Sequence, residues 1–370
     1  MSTTLRFHPL PISCVRQEAA GSVVISFALA PALHKQFGFE PGQYLTLRAS
    51  IGGVEVRRSY SICSTRSQWA QNNEIEVGIR PMQGGVFSNW AATVPQVGDT
   101  IDVMPAQGRF VSKRPRAVHR VGFAAGSGIT PILSIMASSL QEQADAKFTL
   151  VYGNRSMASV MFNEALQDLK DRYPERLTLI HVLSRQAQEV DLLQGRIDGQ
   201  KVRSLINTLL PVASMDEVFV CGPEAMIEAT CQALKEAGVK PERVHSERFS
   251  SPTLDALDVL DAAKRRTALT AHAPQAPGGV ALKVVLDGKT HALQMEPGQR
   301  ILDVALAAGL DLPYSCRGGV CCTCRAKLME GTVLMVKNFT LEPWETDQGF
   351  VLSCQARPTS AQVTLSFDER

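Results

Sequence analysis

The sequence predicts three successive units: an antiparallel β-barrel, an α/β unit with a doubly wound parallel sheet, and a smaller α+β domain. The first 110 or so residues contain short alternating runs separated by Pro and Gly turns, which is typical of antiparallel β-structure. Strands then alternate with helices, which favours a parallel sheet. A new strand–turn–strand–helix order starts at Gly279. The predicted divisions are 1–112, 113–249 and 279–370, joined by a linker at 250–278.

The first unit shows the two-residue period of half-buried strands. Val23, Ile25 and Phe27 alternate with smaller or polar residues. The same alternation recurs at 44–46 and 75–77. Turn sequences separate the runs at 41–44 (PGQY), 51–53 (IGG) and 97–99 (VGD).

The second unit contains one segment that resembles a membrane span in length alone. Residues Val121–Leu140 carry no charge over 20 positions. Their Gly, Pro and Ser content instead favours a loop followed by a buried helix. We expect strands at 118–124, 148–152, 177–183 and 217–221, and helices at 131–143, 161–173 and 224–237. Gly238 is the predicted C-terminal cap of the last helix.

The linker is marked by its composition. It holds three prolines, many alanines and the basic triplet Lys264-Arg265-Arg266, with a short helix expected near 254–264. After it we predict a strand at 281–286, a turn at Asp287-Gly288, a second strand and a helix near 301–308.

Composition limits the classes of partner and compartment. The 370 residues carry 38 basic and 36 acidic side chains, a net charge of +2, so nucleic acid is not an expected partner. Hydrophobic residues make up 45% of the chain, enough for packed cores. The N-terminal sequence has no apolar core of signal-peptide length. We therefore expect a cytoplasmic protein without a membrane-bound segment.

The nine cysteines are distributed unevenly, and four of them have a recognisable spacing. Cys316, Cys321, Cys324 and Cys354 give the pattern C-x4-C-x2-C…C, which is the plant-type [2Fe–2S] spacing. Gly318 and Gly319 allow the chain to wrap closely around a cluster. Cys322 does not fit the spacing and is interpreted as a non-ligand. The alternatives are a zinc ribbon and reduced core cysteines, but zinc sites usually come as paired CxxC knuckles.

A glycine motif follows the first strand of the parallel sheet. The sequence from Gly126 through Gly128 to Pro131 opens a helix, where backbone N–H groups can hold a pyrophosphate. We expect Thr130 to cap this helix and Pro131 to occupy its first position. Because Pro131 replaces the third glycine of the dinucleotide fingerprint, the motif alone is also compatible with an ordinary tight turn. At the end of a later strand stand Cys221, Gly222 and Pro223; a buried core thiol is the alternative interpretation of Cys221.

Two further motifs lie in the β-rich unit. In RRSYS, Arg58 can clamp a phosphate, Tyr60 can stack on a flat ring and Ser61 can hydrogen-bond a ring nitrogen. The segment GGVFS offers close backbone donors at Gly84, Gly85, Val86 and Ser88. Taken alone, RRSYS is equally typical of a polar edge strand.

The order PGQY, RRSYS, GGVFS, GSGITP and CGP resembles the ferredoxin–NADP⁺ reductase-like flavoproteins, over nearly all of residues 7–250. With a C-terminal plant-type ferredoxin domain, the whole chain resembles the reductase components of bacterial oxygenases. The stretches EVRRSYSIC, AAGSGITPI, YGNRS, LPYSCRGGVC and FVLSCQA carry this resemblance. It implies a β-grasp fold for the C-terminal unit, and FAD in preference to FMN. It also implies a relay of electrons to a partner oxygenase, expected to be a di-iron protein. Similar reductases serve a ring-epoxidising oxygenase and ketosteroid hydroxylases, so the alternative acceptor is a ketosteroid or ring hydroxylase.

The resemblance also implies roles for individual residues. Arg58, Tyr60 and Ser61 would bind the flavin phosphate, stack on the isoalloxazine and contact N5, with Ser61 and Cys221 closest to the reaction. Glu247 and Phe249 match the segment that closes over the flavin. The flavin pyrophosphate would lie on Gly84, Gly85, Val86 and Ser88, and the nicotinamide cofactor on Gly126, Gly128, Thr130, Pro131, Cys221, Gly222 and Pro223. The cluster would be held by Cys316, Cys321, Cys324 and Cys354.

Three arginines bear on the choice of nicotinamide cofactor. Arg155 follows the second strand of the parallel sheet, Arg185 follows the third, and Arg196 comes shortly after. Arginine accommodates a ribose 2′-phosphate, whereas an acidic residue would bind the 2′-hydroxyl. No Asp or Glu lies between Tyr152 and Ser156. We therefore expect NADPH in preference to NADH, although each arginine alone is typical of a solvated surface.

The expected activity is an electron relay from NADPH through FAD and the cluster to an oxygenase. Hydride transfer needs no side-chain acid or base, so no general base is assigned. The alternative from another class is a stand-alone electron carrier or redox sensor with a degenerate flavin half, which the intact motifs argue against.

Overall fold

A computed structural model describes residues 5–114, 116–210, 212–249 and 279–369. These residues form three sheet-based units in chain order, as predicted. The predicted linker at 250–278, with its expected helix, lies outside the described residues.

The N-terminal unit is a single curled antiparallel sheet of six strands in the order β4-β3-β6-β1-β2-β5. A bridge between Ile62 and Val77 brings its two edge strands together, which gives the sheet a barrel shape. Alternate side chains from the strands fill its interior, with Ile25, Leu47 and Val77 fully buried. The strands are β1 (His8–Gln17), β2 (Val23–Ala28), β3 (Tyr44–Ile51), β4 (Val54–Ser61), β5 (Glu74–Ile79) and β6 (Thr100–Val103).

Three short helices connect these strands: α1 (Pro31–His34), α2 (Arg66–Asn72) and α3 (Val86–Thr93). Thr65 and Gln68 form a capping box at the start of α2, which satisfies two backbone donors there. Phe87 of α3 is fully buried against the sheet. This packing fixes the loop before α3 at the rim of the barrel.

The central unit is a five-stranded parallel sheet in the order β11-β10-β7-β8-β9. The chain moves outward from β7 to β9 and then returns to the other side of β7, so the topological switch point lies between β7 and β10. The strands are β7 (His119–Ala125), β8 (Lys147–Asn154), β9 (Leu177–Leu183), β10 (Glu217–Cys221) and β11 (Val244–Glu247). The helices are α4 (Ile129–Glu142), α5 (Asn163–Arg172), α6 (Gly199–Thr208) and α7 (Glu224–Glu236).

The C-terminal unit has a five-stranded mixed sheet in the order β13-β12-β18-β14-β16, with the two terminal strands β12 and β18 parallel and adjacent. A second sheet pairs β15 with β17. The cysteine loop lies between the helix α8 and β14. The elements are β12 (Val280–Leu286), β13 (Lys289–Met295), α8 (Ile301–Ala307), β14 (Arg325–Glu330), β15 (Val333–Met335), α9 (Pro343–Asp347), β16 (Phe350–Leu352), β17 (Ala356–Pro358) and β18 (Gln362–Ser366).

The start of α4 differs from the prediction. Gly128 is the residue before the helix, so Thr130 and Pro131 lie inside its first turn instead of at the cap and the first position. The Thr130 hydroxyl donates to the Ser127 carbonyl at 3.0 Å, within the turn. The predicted cap was wrong because the 3₁₀ turn Gly126–Gly128 runs directly into the helix.

Val121–Leu140 is divided between β7 and α4, as expected from its Gly, Pro and Ser content. Across the described parts of the chain, no helix has both the length and the apolar character needed to cross a membrane.

Candidate functional site

A cleft that spans about 830 Å³, part of it open to solvent, lies where the three units meet. Arg58, Tyr60 and Ser61 of β4 form one wall. The central unit contributes Ser127 and Thr130 before and within α4, and the segment 247–249. Two cysteines of the C-terminal loop, Cys316 and Cys321, complete the lining. The structure therefore brings residues from all three predicted sites into one space.

The β4 wall combines a cation, an aromatic ring and a hydroxyl. Arg58 and Ser61 are buried, at 6% and 4% exposure, while Tyr60 is partly exposed to the cleft. The Tyr60 ring packs on Phe87 of α3 with 5.6 Å between ring centroids. This contact presents the tyrosine ring as a fixed flat surface, which is a suitable platform for an aromatic ligand.

The Gly84–Ser88 loop adjoins this wall. Gly84 has φ +76 and Gly85 directly precedes α3, so the chain enters the helix through a tight turn. The backbone N–H of Met82 donates to Ser88 Oγ at 3.3 Å, which holds the turn closed. The cleft is lined by Ser88 but not by Gly84, Gly85 or Val86, which lie beside it.

The glycine loop of the central unit packs against the end of β10. A Cβ on Gly128 would collide with the carbonyl oxygen of Cys221, so only glycine fits there. The end of β7 and the end of β10 therefore meet at the switch point, the place where parallel sheets bind ligands. Arg80 Nη1 lies close to Gly126, which has φ +54. Gly126, Gly128, Pro131, Cys221, Gly222 and Pro223 border the cleft without lining it.

A carboxyl group faces Ser61 across the cleft. The Ser61 hydroxyl donates to Glu247 Oε2 at 3.1 Å. Burial raises the pKa of Glu247 to about 8, so this carboxyl is largely protonated at neutral pH. Burial also raises the pKa of the fully buried Cys221 thiol, and the nearby Glu247 adds to that effect. The site thus holds neutral, proton-bearing groups beside Ser61.

The three arginines predicted to select the cofactor lie together, away from the cleft. The backbone N–H of Arg185 donates to the carbonyl of Arg155 at 2.8 Å. Gly195, next to Arg196, donates to Leu183 at the end of β9 at 2.9 Å. All three side chains are exposed, and none forms an ion pair within the described ranges of the chain.

The four spaced cysteines are buried and arranged as two pairs. Cys316 and Cys321 hydrogen-bond to each other, as do Cys324 and Cys354. These hydrogen bonds lower the pKa of Cys316 and of Cys354, and they raise the pKa of their partners Cys321 and Cys324. One sulfur of each pair therefore favours the thiolate form that binds metals, while the other holds the shared proton.

Backbone and side-chain N–H groups also point at these sulfurs. Gly318 N lies 3.3 Å from Cys316 Sγ, and Gln355 Nε2 lies 3.5 Å from Cys354 Sγ. Positive φ angles at Arg317, Gly319 and Cys322 curl the loop around the sulfurs. Two thiol pairs with N–H donors fit a [2Fe–2S] cluster, in which each iron takes two protein thiolates.

Tyr44 connects the barrel to the cysteine loop. Its hydroxyl contacts the carbonyl of Cys321 and lies 3.0 Å from Thr323 Oγ1. Tyr44 is 5% exposed, and burial raises the pKa of its phenol well above the usual value. The hydroxyl therefore stays protonated as a hydrogen-bonding group between the two units.

Charged side chains of β4 and α9 hold the same two units together. Arg57, 4% exposed, donates to Asp311 at 2.7 Å and to the Leu312 carbonyl at 3.0 Å. Ser59 Oγ donates to Ser315 Oγ at 2.8 Å. The fully buried carboxylate of Glu345 in α9 pairs with Arg109 of the N-terminal unit and with Arg325 of its own unit.

Sequence reasoning assigned no role to several of these residues. Tyr44 lies in the PGQY motif, which indicated a turn and contributed to the family resemblance without a role for the tyrosine. Arg57 is the arginine of RRSYS to which no role was assigned. Arg80 follows β5 without a motif, and Glu345 lies in the short helix α9 with no local signal of its partner. Tyr44, Arg57 and Glu345 each contact a residue more than 200 positions away in the sequence. Local sequence patterns do not indicate such contacts.

Comparisons with known proteins agree with this three-part site. The oxidoreductase FAD-binding domain family matches residues 12–111, and the oxidoreductase NAD-binding domain family matches 123–232. The 2Fe-2S iron-sulfur cluster binding domain family matches residues 284–359.

Relatives extend over the full length of the chain. One of the subunits of 1,2-phenylacetyl-CoA epoxidase from Escherichia coli (strain K12) is 41% identical over 368 residues, 98% of each protein. The ferredoxin reductase component of a 3-ketosteroid-9-alpha-monooxygenase from Rhodococcus rhodochrous is 33% identical over 97% of this chain and 96% of its own.

A solved phthalate dioxygenase reductase, described as a modular structure for electron transfer from pyridine nucleotides to [2Fe-2S], shares the fold. It has a TM-score of 0.58 and 21% identity over 98% of both chains. The chain belongs to the family of oxygenase reductase components that join an FAD-binding, an NAD-binding and a 2Fe-2S domain in one polypeptide.

Proposed function

We propose that this reductase takes electrons from NADPH and delivers them to a phenylacetyl-CoA epoxidase. The observation that carries the proposal is the single cleft in which Tyr60 and Ser61, the glycine-loop helix and the thiols Cys316 and Cys321 converge. A ligand in this cleft touches both the nucleotide-binding side and the cluster-binding side.

The flavin would be held by the barrel. Arg58 would bind its phosphate, Tyr60 would stack on the ring, and Ser61 would contact N5. Gly84, Gly85, Val86 and Ser88 would hold the pyrophosphate. Glu247 and Phe249, at the end of the central unit, would cover the ring from the other side. The buried cation, the fixed aromatic surface and the open glycine turn support this assignment.

The nicotinamide nucleotide would lie at the switch point of the parallel sheet. Gly126, Gly128, Thr130 and Pro131 place the N-terminus of the fourteen-residue helix α4 beside the cleft, with the positive end of its dipole available to a phosphate. Cys221, Gly222 and Pro223 end β10 next to it. The Cys221 thiol, kept neutral by burial, would provide a small uncharged surface for the ring.

When bound, the flavin supplies the conversion of a two-electron hydride into single electrons, and the cluster carries them one at a time. The chain's own contribution is positioning. Ser61 and Glu247 place hydroxyl and carboxyl protons at the flavin site, while the thiols of Cys316, Cys321, Cys324 and Cys354 take up iron as thiolates. Tyr44 and Arg57 hold the cysteine loop against the cleft.

NADPH is favoured over NADH by the arginine cluster. Arg155, Arg185 and Arg196 present three unpaired guanidinium groups at the carboxyl ends of β8 and β9, within the residues that the structure describes. Arginine is the residue of choice for phosphate recognition because its planar donors match the phosphate oxygens. A 2′-phosphate would find its partners here.

The identity of the client rests on the relative at 41% identity, which is a component of a phenylacetyl-CoA epoxidase. The acceptor would be the di-iron oxygenase component of such a system. The 33% identical relative supports a second candidate, the reductase of a ketosteroid hydroxylase. We also propose the domain divisions 1–112, 113–249 and 279–370, with 250–278 as the linker.

The test has two stages. The purified protein should bind FAD and about two irons per chain, and its visible absorbance should bleach with NADPH under anaerobic conditions faster than with NADH. It should then support oxygen-dependent epoxidation when mixed with phenylacetyl-CoA and the purified catalytic components of the epoxidase. Ketosteroid hydroxylation with the corresponding oxygenase would favour the second client. A cluster-loaded protein that binds no flavin and oxidises no NADPH would be a stand-alone electron carrier, and the proposal would be rejected.

A further inference from the structure

The small β15–β17 sheet carries an exposed apolar strip. Leu334 and Val336 are 59% and 52% exposed, whereas Val333 and Met335 between and beside them pack on the core. This alternation is that of a strand with one buried face. The core therefore does not require apolar residues at Leu334 and Val336.

The strip is joined directly to the cysteine loop. The backbone N–H of Val336 donates to the Gln355 carbonyl at 3.2 Å. The Gln355 side chain lies 3.5 Å from Cys354 Sγ and donates to the Arg317 carbonyl at 2.9 Å. Farther along, Phe339 N donates to Gly319 O at 3.1 Å. The exposed segment thus lies against the loop on the side of Cys354.

The thiol pair Cys316 and Cys321 faces the barrel and not the strip. Cys316 and Cys321 line the flavin cleft, and Tyr44 of the barrel covers the loop there. Cys324 and Cys354 do not line that cleft. Because electron transfer weakens steeply with distance through protein, a second redox partner needs an approach to the cluster that the barrel does not already occupy. The strip beside Cys354 offers one.

Two cations flank the strip. Lys337 is exposed, and Arg357 stands opposite Leu334 in the β15–β17 register. Neither forms an ion pair within the part of the chain that the structure describes. Unpaired charges at the edge of an apolar contact favour a partner with carboxylates in matching positions, and they act mainly on the rate of association.

We infer that Leu334 and Val336, flanked by Lys337 and Arg357, form the docking surface for the electron-accepting oxygenase component. This inference rests on the proposed function. The partner presents an apolar contact surrounded by carboxylates, and each encounter transfers one of the two electrons that a reduced nicotinamide supplies. Transient redox complexes bury less than about 1,200 Å² in total, so the contact with the oxygenase component can be small.

The strip is tested by Val336→Asp and by two milder variants, Leu334→Gln and Val336→Ser. The control is Val97→Asp, which changes a 65% exposed valine of the barrel. Binding of each cofactor-loaded variant to the purified catalytic components of phenylacetyl-CoA epoxidase is measured by calorimetry. Anaerobic reduction by NADPH and turnover with ferricyanide report on the flavin and nucleotide sites.

We expect the strip variants to bind the epoxidase components about tenfold or more weakly. Ferricyanide turnover and cluster absorbance should stay unchanged, and Val97→Asp should bind normally. Lys337→Glu should slow association and reduce its dependence on salt.

Three outcomes are informative in different ways. Equal binding by the wild type and all strip variants overturns the docking surface while leaving the proposed function intact. If the wild-type protein neither binds the epoxidase components nor supports epoxidation, the proposed client is wrong. The strip is then not a docking surface for that client. Concentration-dependent dimerisation of the wild type that Val336→Asp abolishes would show that the strip is covered by a second copy, which also overturns the inference.

Discussion

The hydroxyl of Ser61 lies 3.1 Å from Glu247 Oε2, and this hydrogen bond joins the last residue of β4 to the last residue of β11. One partner belongs to the barrel and the other to the parallel sheet. The contact therefore closes the cleft between the two units and brings a proton-bearing carboxyl group to the hydroxyl predicted to contact the flavin.

Replacing Ser61 by Ala should slow anaerobic reduction of the flavin by NADPH by roughly 2- to 10-fold, the cost of one hydrogen bond between neutral groups, because Glu247 is largely protonated at neutral pH. Stopped-flow absorbance measures this step directly. Ser59→Ala is the matched control, because Ser59 contacts Ser315 of the cysteine loop instead. Equal rates for Ser61→Ala and the wild type would contradict the assigned role.

Glu247 should make stability depend on pH. Its folded-state pKa of about 8 lies above the usual value, so the folded protein holds a proton that the unfolded chain has released. Stability should therefore fall as pH rises from about 4.5 to 8, by up to about 1.4 kcal/mol per pH unit. Urea unfolding of Glu247→Gln should show a flatter profile over that range. Identical profiles would show that this carboxyl is not protonated in the folded state.

Tyr44→Phe should separate the two electron-transfer steps. The ring is retained, but the contacts to the Cys321 carbonyl and to Thr323 are lost, weakening the interface by about 1–3 kcal/mol. We expect normal flavin reduction by NADPH and slower appearance of the reduced cluster signal in freeze-quenched EPR spectra. A cluster that is reduced at the wild-type rate would show that these hydrogen bonds do not position the loop.

Glu345→Gln should be the most damaging change at the interface between barrel and cysteine domain. Its carboxylate is fully buried between Arg109 and Arg325, and removal of one partner from a buried ionic group costs about 3–5 kcal/mol. Lys113→Ala, which breaks an exposed pair with Glu342, should cost less than about 1 kcal/mol. Chemical unfolding monitored by flavin and cluster absorbance compares the two. Similar losses for both variants would contradict the burial argument.

Nucleotide preference should depend on the arginine cluster. Arg155→Ala and Arg185→Ala should each raise the KM for NADPH by about 10- to 100-fold, as expected for loss of a charged hydrogen bond, with little effect on the KM for NADH. Steady-state kinetics with both nucleotides and ferricyanide measures this. Arg172→Ala, on the exposed surface of α5, is the control. A parallel rise for both nucleotides would place the 2′-phosphate elsewhere.

Cys354→Ser should reduce bound iron and the visible absorbance of the cluster, because it removes one of the two thiols of its pair. Cys322→Ser should retain the cluster, since Cys322 lies outside the spaced set. Iron analysis distinguishes the two variants, and loss of iron from Cys322→Ser would reassign the ligands.

The sequence by itself determined the order of the three units, the glycine turns and the spaced cysteines. These features are local: a helix start, a tight turn or a C-x4-C-x2-C loop is specified by residues a few positions apart. The parallel strands β9 and β10 matched their predicted bounds because each is a short, strongly apolar run. The predicted cap at Thr130 was wrong because the continuation of a 3₁₀ turn into α4 has no distinct sequence signal.

Only the tertiary structure decided which residues of the three units contact one another and which charged groups become buried. Tyr44 and Cys321 are separated by 277 residues, and no local pattern indicates that one hydroxyl lies against the other's carbonyl. The pKa of Glu247 depends on burial by a neighbouring unit, and the charge of Glu345 is balanced by an arginine 236 residues away. Burial and long-range pairing depend on how whole sheets pack, and a single sequence specifies that packing only through the fold as a whole.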